Sequence, residues 1–156
     1  MNTCQVKSVK NNDTVEFVFS GSIDESLANY INIFPEIPTM TINLDQVISI
    51  NSTGIREWIK LMNKVSGSEI KIIKCPKVFI DQVNMVKGFL PQNAQIESFY
   101  VPYFSETKNS ELKILFEKGK NFTKSFINCK ESVTDEAGAV YDIDVISSKY
   151  FKFIKG

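Results

Sequence analysis

Two neighbouring hydroxyls, Ser52 and Thr53, stand beside Gly54 where an apolar run gives way to an amphipathic stretch in INLDQVISINSTGIREWIKLM, residues 42 to 62. A Ser or Thr just before an apolar-periodic helix ordinarily caps it, its oxygen accepting an N–H of the first turn. The same free N–H groups and the helix dipole favour any negative charge placed there. Cys75 is the other candidate for chemistry, because it ends a strand-like run and precedes Pro76 at a helix start, where a thiolate is stabilised. The chain has no histidine. That removes Ser-His and Cys-His nucleophile pairs, histidine-ligated metals and a histidine general base. Carboxylate, Lys or Tyr chemistry would remain, and no dense cluster of these stands out. Cys75 therefore reads first as a small apolar residue at a strand end. The chain is expected not to be an enzyme and to carry no cofactor.

These residues need elements to hold them. CQVKSVKNNDTVEFVFSGSI reads as two strands around the polar turn Asn11-Asn12-Asp13. ESLANYINIF spaces Leu27, Tyr30, Ile31 and Phe34 as a helix of about ten residues, which Pro35 and Pro38 end. TMTINLD is the next strand, with Met40, Ile42 and Leu44 on one face and Asp45 at its end. After the NSTG junction, Ile55, Trp58, Ile59, Met62 and Val65 form an apolar helical stripe, closed by Ser66-Gly67-Ser68. EIKIIKC is a strand, KVFIDQVNMVKGFL a helix ending near Gly88, and AQIESFYVPYF a last strand. The order β-β-α-β-α-β-α-β argues for an α/β fold with right-handed crossovers.

Composition fits this. The 156 residues suit one domain, or one domain with an appendage. At 43% hydrophobic and 23% charged, the balance is globular. Eighteen basic against 18 acidic residues give zero formal charge, and so no electrostatic reason for a nucleic-acid or anionic-membrane partner. Three scattered cysteines, Cys4, Cys75 and Cys129, fit a reducing compartment. MNTCQVKSVKNND lacks the apolar core of a signal peptide. No run approaches the ~20 apolar residues of a membrane span. The expected location is the cytoplasm.

Residues 4 to 100 resemble a STAS domain, the fold of bacterial anti-sigma factor antagonists. Gly21-Ser22-Ile23-Asp24 is similar to that family's G-x-[IL]-D after the second strand. INLDQVISINSTGIREW is similar to its segment ending in D-S-[ST]-G, and GSEIKIIKCPKVFIDQVNMVKGF to its later strand, loop and helix. The resemblance implies a STAS-like mixed β-sheet covered by helices over residues 1–101, with a small β-rich extension over 102–156. It implies a protein-interaction module whose partner is an anti-sigma factor kinase or a related signalling protein. It implies a phosphorylation switch at Thr53, with Ser52 beside it, and a partner surface including Asp24, Asn51, Gly54 and Arg56. The chain departs from the pattern at Asn51, where the family has Asp, while Thr53 stands where the family has Ser or Thr. A nucleotide- or lipid-binding or scaffolding STAS module, with its ligand in a cleft near Asp24 and Ser52, is the alternative reading. An exposed edge strand or the aromatic tail leaves room for a homodimer.

Beyond Pro102 the texture changes to turn-rich stretches between ELKILFE and AVYDIDV, yet seven of the twelve Phe residues lie beyond position 98. This part is expected to be folded, with Tyr150, Phe151, Phe153 and Ile154 docking it on the main body and Ser147 or Ser148 capping a short terminal helix. YVPYFSETK and FINCKES resemble the two knuckles of a zinc ribbon. The four knuckle positions are Ser105, Lys108, Cys129 and Ser132, and only one is a thiolate. Such a set cannot build a tetrahedral zinc site. The ribbon is expected to fold without metal, on Phe104, Phe116, Phe122, Phe126 and Tyr141.

Overall fold

Alternation of side chains along each strand sets the architecture of the computed structural model, which describes residues 3–155. Gln5–Asn11 (β1) and Thr14–Ile23 (β2) form an antiparallel hairpin. Its turn places Asn12 at φ 54°, a left-handed conformation that a short amide side chain tolerates. Thr39–Ile50 (β3), Glu69–Ile73 (β4) and Ala94–Ile96 (β5) then join β2 in parallel, in the sheet order β1-β2-β3-β4-β5. The register aligns Phe17, Ile42, Ile72 and Ile96 in one row across four strands, and all four are buried. One residue earlier, the row Glu16, Thr41, Lys71 and Gln95 points to the opposite, more exposed face. This period of two buries one side of the sheet and leaves the other polar.

The helices are Ala28–Ile31 (α1), preceded by a 3-10 turn at Glu25–Leu27, Ser52–Lys64 (α2), Lys77–Met85 (α3) and Ser147–Tyr150 (α4). The fold is mixed α/β, with a sheet of mixed strand orientation and, among the described residues, four α-helices. Trp58 sits at its centre, fully buried. Its ring lies edge-on to Phe79 at 5.2 Å and stacks with Phe89 at 5.7 Å, and its Nε1–H donates to the Phe89 carbonyl at 2.9 Å.

Several sequence expectations change here. The ten-residue helix expected after Asp24 is only a 3-10 turn plus the four residues of α1. The Lys64 ammonium donates to the Ile31 and Asn32 carbonyls at 2.5 and 3.0 Å, closing α1 before Phe34, which is buried outside any helix. Helix α3 stops at Met85 because Val86 is extended, and Gly88 follows at φ 84°. Strand β3 does not end at Asp45 but runs on to Ile50 beside β2, through register shifts around Ser20 and Gly21. The stripe of α2 is rotated: Ile55 and Ile59 are half-buried, while Glu57 and Leu61 face inward.

AQIESFYVPYF is two strands, not one. Residue 97 breaks it, and Ser98–Ser105 (β6) belongs to a second sheet with Ser110–Glu117 (β7), Ser132–Thr134 (β10) and Val140–Ile143 (β11), ordered β10-β11-β6-β7 and antiparallel throughout. Phe122–Thr123 (β8) and Phe126–Ile127 (β9) form a separate small hairpin. The division expected between residues 101 and 102 thus falls inside β6. Phe99 of β6 carries the tail: its ring lies 6.1 Å from both Tyr150 and Phe151 and 5.0 Å from Phe153. The Tyr150 hydroxyl donates to the Tyr100 carbonyl at 2.5 Å. Helix α4 begins at Ser147, with Ile146 at its N-cap and no side-chain cap, so neither Ser147 nor Ser148 takes that role. Of the aromatics expected to stabilise the extension, Phe116, Phe122 and Tyr141 are buried, but Phe126 is 58% exposed.

Candidate functional site

Two loops meet at the start of α2 because backbone atoms lock them together. The Asn51 N–H donates to the Ile23 carbonyl at 3.2 Å. Gly54, in the first turn of α2, lies so close to β2 that an added Cβ would sit 1.8 Å from the Ile23 carbonyl oxygen. Only glycine permits that approach. It brings Gly21-Ser22-Ile23-Asp24 and Asn51-Ser52-Thr53-Gly54 into one surface.

The cap of α2 is Asn51, not Ser52 or Thr53. Asn51 is extended, at φ −105° and ψ 177°, and its side-chain oxygen accepts the Gly54 N–H at 2.8 Å. Such a cap stabilises a helix by about 1 kcal/mol. Ser52 and Thr53 are the first two helical residues, and both are exposed. Among the described residues their hydroxyls have no hydrogen-bond partner, and neither do their backbone N–H groups, since the Ile55 N–H is the first to bond within the helix, to the Asn51 carbonyl at 2.9 Å. Two free hydroxyls and two free donors therefore face solvent at the positive end of a helix of 13 residues.

Arg56 is exposed and makes no ion pair among the described residues. It lies three residues beyond Thr53 and four beyond Ser52, the spacing that puts side chains on one helical face. Asp24 is committed locally. Its carboxylate caps the 3-10 turn by accepting the Ser26 N–H at 2.9 Å, and it also accepts the Ser26 hydroxyl. The Ser26 oxygen in turn accepts the Cys4 N–H at 2.8 Å. Burial, and after it the Asp24 charge, pushes the Cys4 thiol up to about 12, so it stays neutral. The structure thus joins Asp24 to the hydroxyl loop through backbone, and among the described residues its carboxylate bonds to Ser26 rather than to Ser52 or Thr53.

Sequence reasoning missed Glu57. It is only 7% exposed. One carboxylate oxygen pairs with Lys60 at 3.1 Å, and the other has no partner among the described residues. A carboxylate in an apolar stripe gave no signal beyond its spacing from Gly54 and Leu61.

The remaining candidates sit elsewhere. Cys75 is fully buried, and burial pushes its thiol well above the ordinary value. Cys129 is half-buried, its thiol 3.4 Å from the Tyr103 hydroxyl and likewise pushed up by burial. At the other knuckle the Ser105 hydroxyl accepts the Lys108 N–H at 3.3 Å, closing the turn by protein bonding alone. No group of three or more metal-ligating side chains exists among the described residues. Among the described residues, none of five well-formed surface clefts is lined by Asp24, Asn51, Ser52 or Thr53. No described helix is long and apolar enough to cross a membrane. Compared with known proteins, the chain matches no family model and no curated protein.

Native Cys75 is expected to resist iodoacetamide at pH 8, because a buried neutral thiol is neither reachable nor nucleophilic. It should label only in denaturant. Mass spectrometry of the alkylated peptides reads this directly, and fast native labelling at Cys75 would reverse the assignment of an inert core residue.

Proposed function

We propose that the chain is a regulatory protein-interaction module of the STAS type, an anti-sigma factor antagonist or a related signalling component, and not an enzyme. Its switch is the hydroxyl pair, with Thr53 the phosphate acceptor and Ser52 beside it. The observation that carries this reading is that Asn51 takes over the capping, leaving both hydroxyls exposed and unbonded at the helix start. The strand order supports the fold assignment: an antiparallel hairpin leads into parallel strands, with a helix entering each crossover.

A phosphate adds about two negative charges and three acceptor oxygens. At Thr53 it would meet the free N–H groups of Ser52 and Thr53 and the Arg56 guanidinium one turn on. Asn51 helps here, since a neutral amide caps the helix without the charge of a carboxylate that would repel the phosphate. On a docking face the added bulk and charge eject the partner, which we assign to the class of anti-sigma kinases. Asp24, Asn51, Gly54 and Arg56 complete that face. The cytoplasm, where such kinases work, is the proposed location.

Phosphopeptide mapping of the protein isolated from its own cells tests the switch. Phosphate is expected on the peptide ending at Arg56, at Thr53 or Ser52. A peptide that stays unmodified in every growth state would count against it.

A further inference from the structure

Where β5 meets β8 and the terminal 3-10 segment Phe151–Lys155, the surface opens into a groove of about 330 Å³. Its walls are Leu90, Ile96, Phe122, Phe153 and Ile154. The floor is firm: Phe122 is 5% exposed, and its ring lies 5.1 Å from that of the fully buried Phe99. The rim carries Lys118, Lys124, Gln95 and Thr123, and among the described residues no carboxylate lines the groove. The Lys118 ammonium is held by the Gln95 side chain at 3.0 Å and the Glu97 carboxylate at 3.4 Å. Lys124 makes no ion pair among the described residues and is exposed. The groove therefore combines an apolar trough with a positive charge at its mouth, Lys124, that pairs with no carboxylate among the described residues. Ligand sites commonly have this volume and this pairing of apolar walls with few polar groups, and they favour junctions between units of structure.

We propose that this groove binds a single-chain carboxylate amphiphile, a free fatty acid. Its chain lies between Ile96, Phe122 and Ile154, and its carboxylate meets Lys124 and the Thr123 hydroxyl. The trough favours an alkyl chain because burial removes apolar surface from water. The cation at the mouth selects a carboxylate over an ammonium head. This site lies outside the hydroxyl pair, and its success or failure leaves the switch untouched.

Titration of the full chain with monomeric decanoate, followed by calorimetry and by amide NMR shifts, tests the proposal. One saturable site is expected, with shifts centred on Ile96, Phe122 and Ile154 and no matching response to decyltrimethylammonium. Lys124→Glu, at an exposed position, should weaken binding about tenfold, the loss of one charge-assisted contact. Leu90→Trp, which fills the trough, should abolish it. Absence of saturation, shifts centred elsewhere, equal binding of the ammonium, or affinity unmoved by Lys124→Glu would each overturn the proposal. The ammonium result would leave only an unselective greasy surface.

Discussion

Trp58→Ala is expected to destabilise the protein by about 3–5 kcal/mol, the cost of removing a large aromatic from a packed core. Trp58 is completely buried. It meets Phe19, Phe79 and Phe89 at 5.9, 5.2 and 5.7 Å, so its loss opens a cavity bounded by rings that cannot all collapse into it. It also leaves the Phe89 carbonyl without its donor. Burying that oxygen unpaired adds to the cost. Trp58→Phe keeps most of the ring volume and loses mainly the hydrogen bond. It should therefore cost clearly less than the alanine. Urea unfolding of the three proteins reads the order. Equal midpoints for wild type and Trp58→Ala would show that the tryptophan is not the centre of the core.

Gly54→Ala is the second large effect, and it arises from a different term. One methyl group is added, yet it lands 1.8 Å from a backbone oxygen and 2.4 Å from the attached carbon of Ile23. Neither atom belongs to a side chain that can rotate away. The first turn of α2 must part from the end of β2, and overpacking of this kind costs about 3 kcal/mol or more. Helix propensity works the other way, since Ala exceeds Gly by about 1 kcal/mol within a helix, but steric conflict with backbone wins. Gly67 is the control, because an added Cβ there meets nothing within 4 Å. Gly67→Ala should change stability by no more than about 0.5 kcal/mol. Denaturant midpoints that fall equally for the two variants would refute the close approach. The strain also has a functional reading. It separates the Asp24 loop from the hydroxyl loop, so Gly54→Ala should weaken any partner that spans both.

Much of the fold was legible because burial follows a short period. Phe17, Ile42, Ile72 and Ile96 each sit in alternating runs, and their alternation assigns a face before any pairing is known. Trp58 was legible from helical spacing alone. The errors occur where distant contacts decide. Asn51, Ser52 and Thr53 are all good capping residues, and their local preferences do not choose between them. The approach of Gly54 to Ile23 does, by fixing where the first helical turn begins. The break between β5 and β6 is invisible in AQIESFYVPYF because no glycine or proline marks it. It arises because β5 pairs with β4, while β6 pairs with β7 and β11. Pro102 lies inside β6, one residue past the last registered β11 pair; its carbonyl still accepts the Asp144 N–H at 2.9 Å, but its ring returns no N–H, so pairing with β11 ends there. The short α1 was equally hidden: the cation that closes it, Lys64, comes from 33 residues away.

The central claim is that the face around Thr53 docks a protein and that negative charge there releases it. Affinity capture from the source cell's lysate tests this most directly, with wild type, Thr53→Ala and Thr53→Glu as baits and mass spectrometry of what each retains. All three should fold alike, because Thr53 is exposed and bonds to nothing among the described residues. The account predicts that wild type and Thr53→Ala retain the same kinase-like or sigma-regulating protein and that Thr53→Glu loses it. Identical sets from all three baits would contradict it, and would leave the hydroxyl pair as the first two residues of a helix that Asn51 already caps.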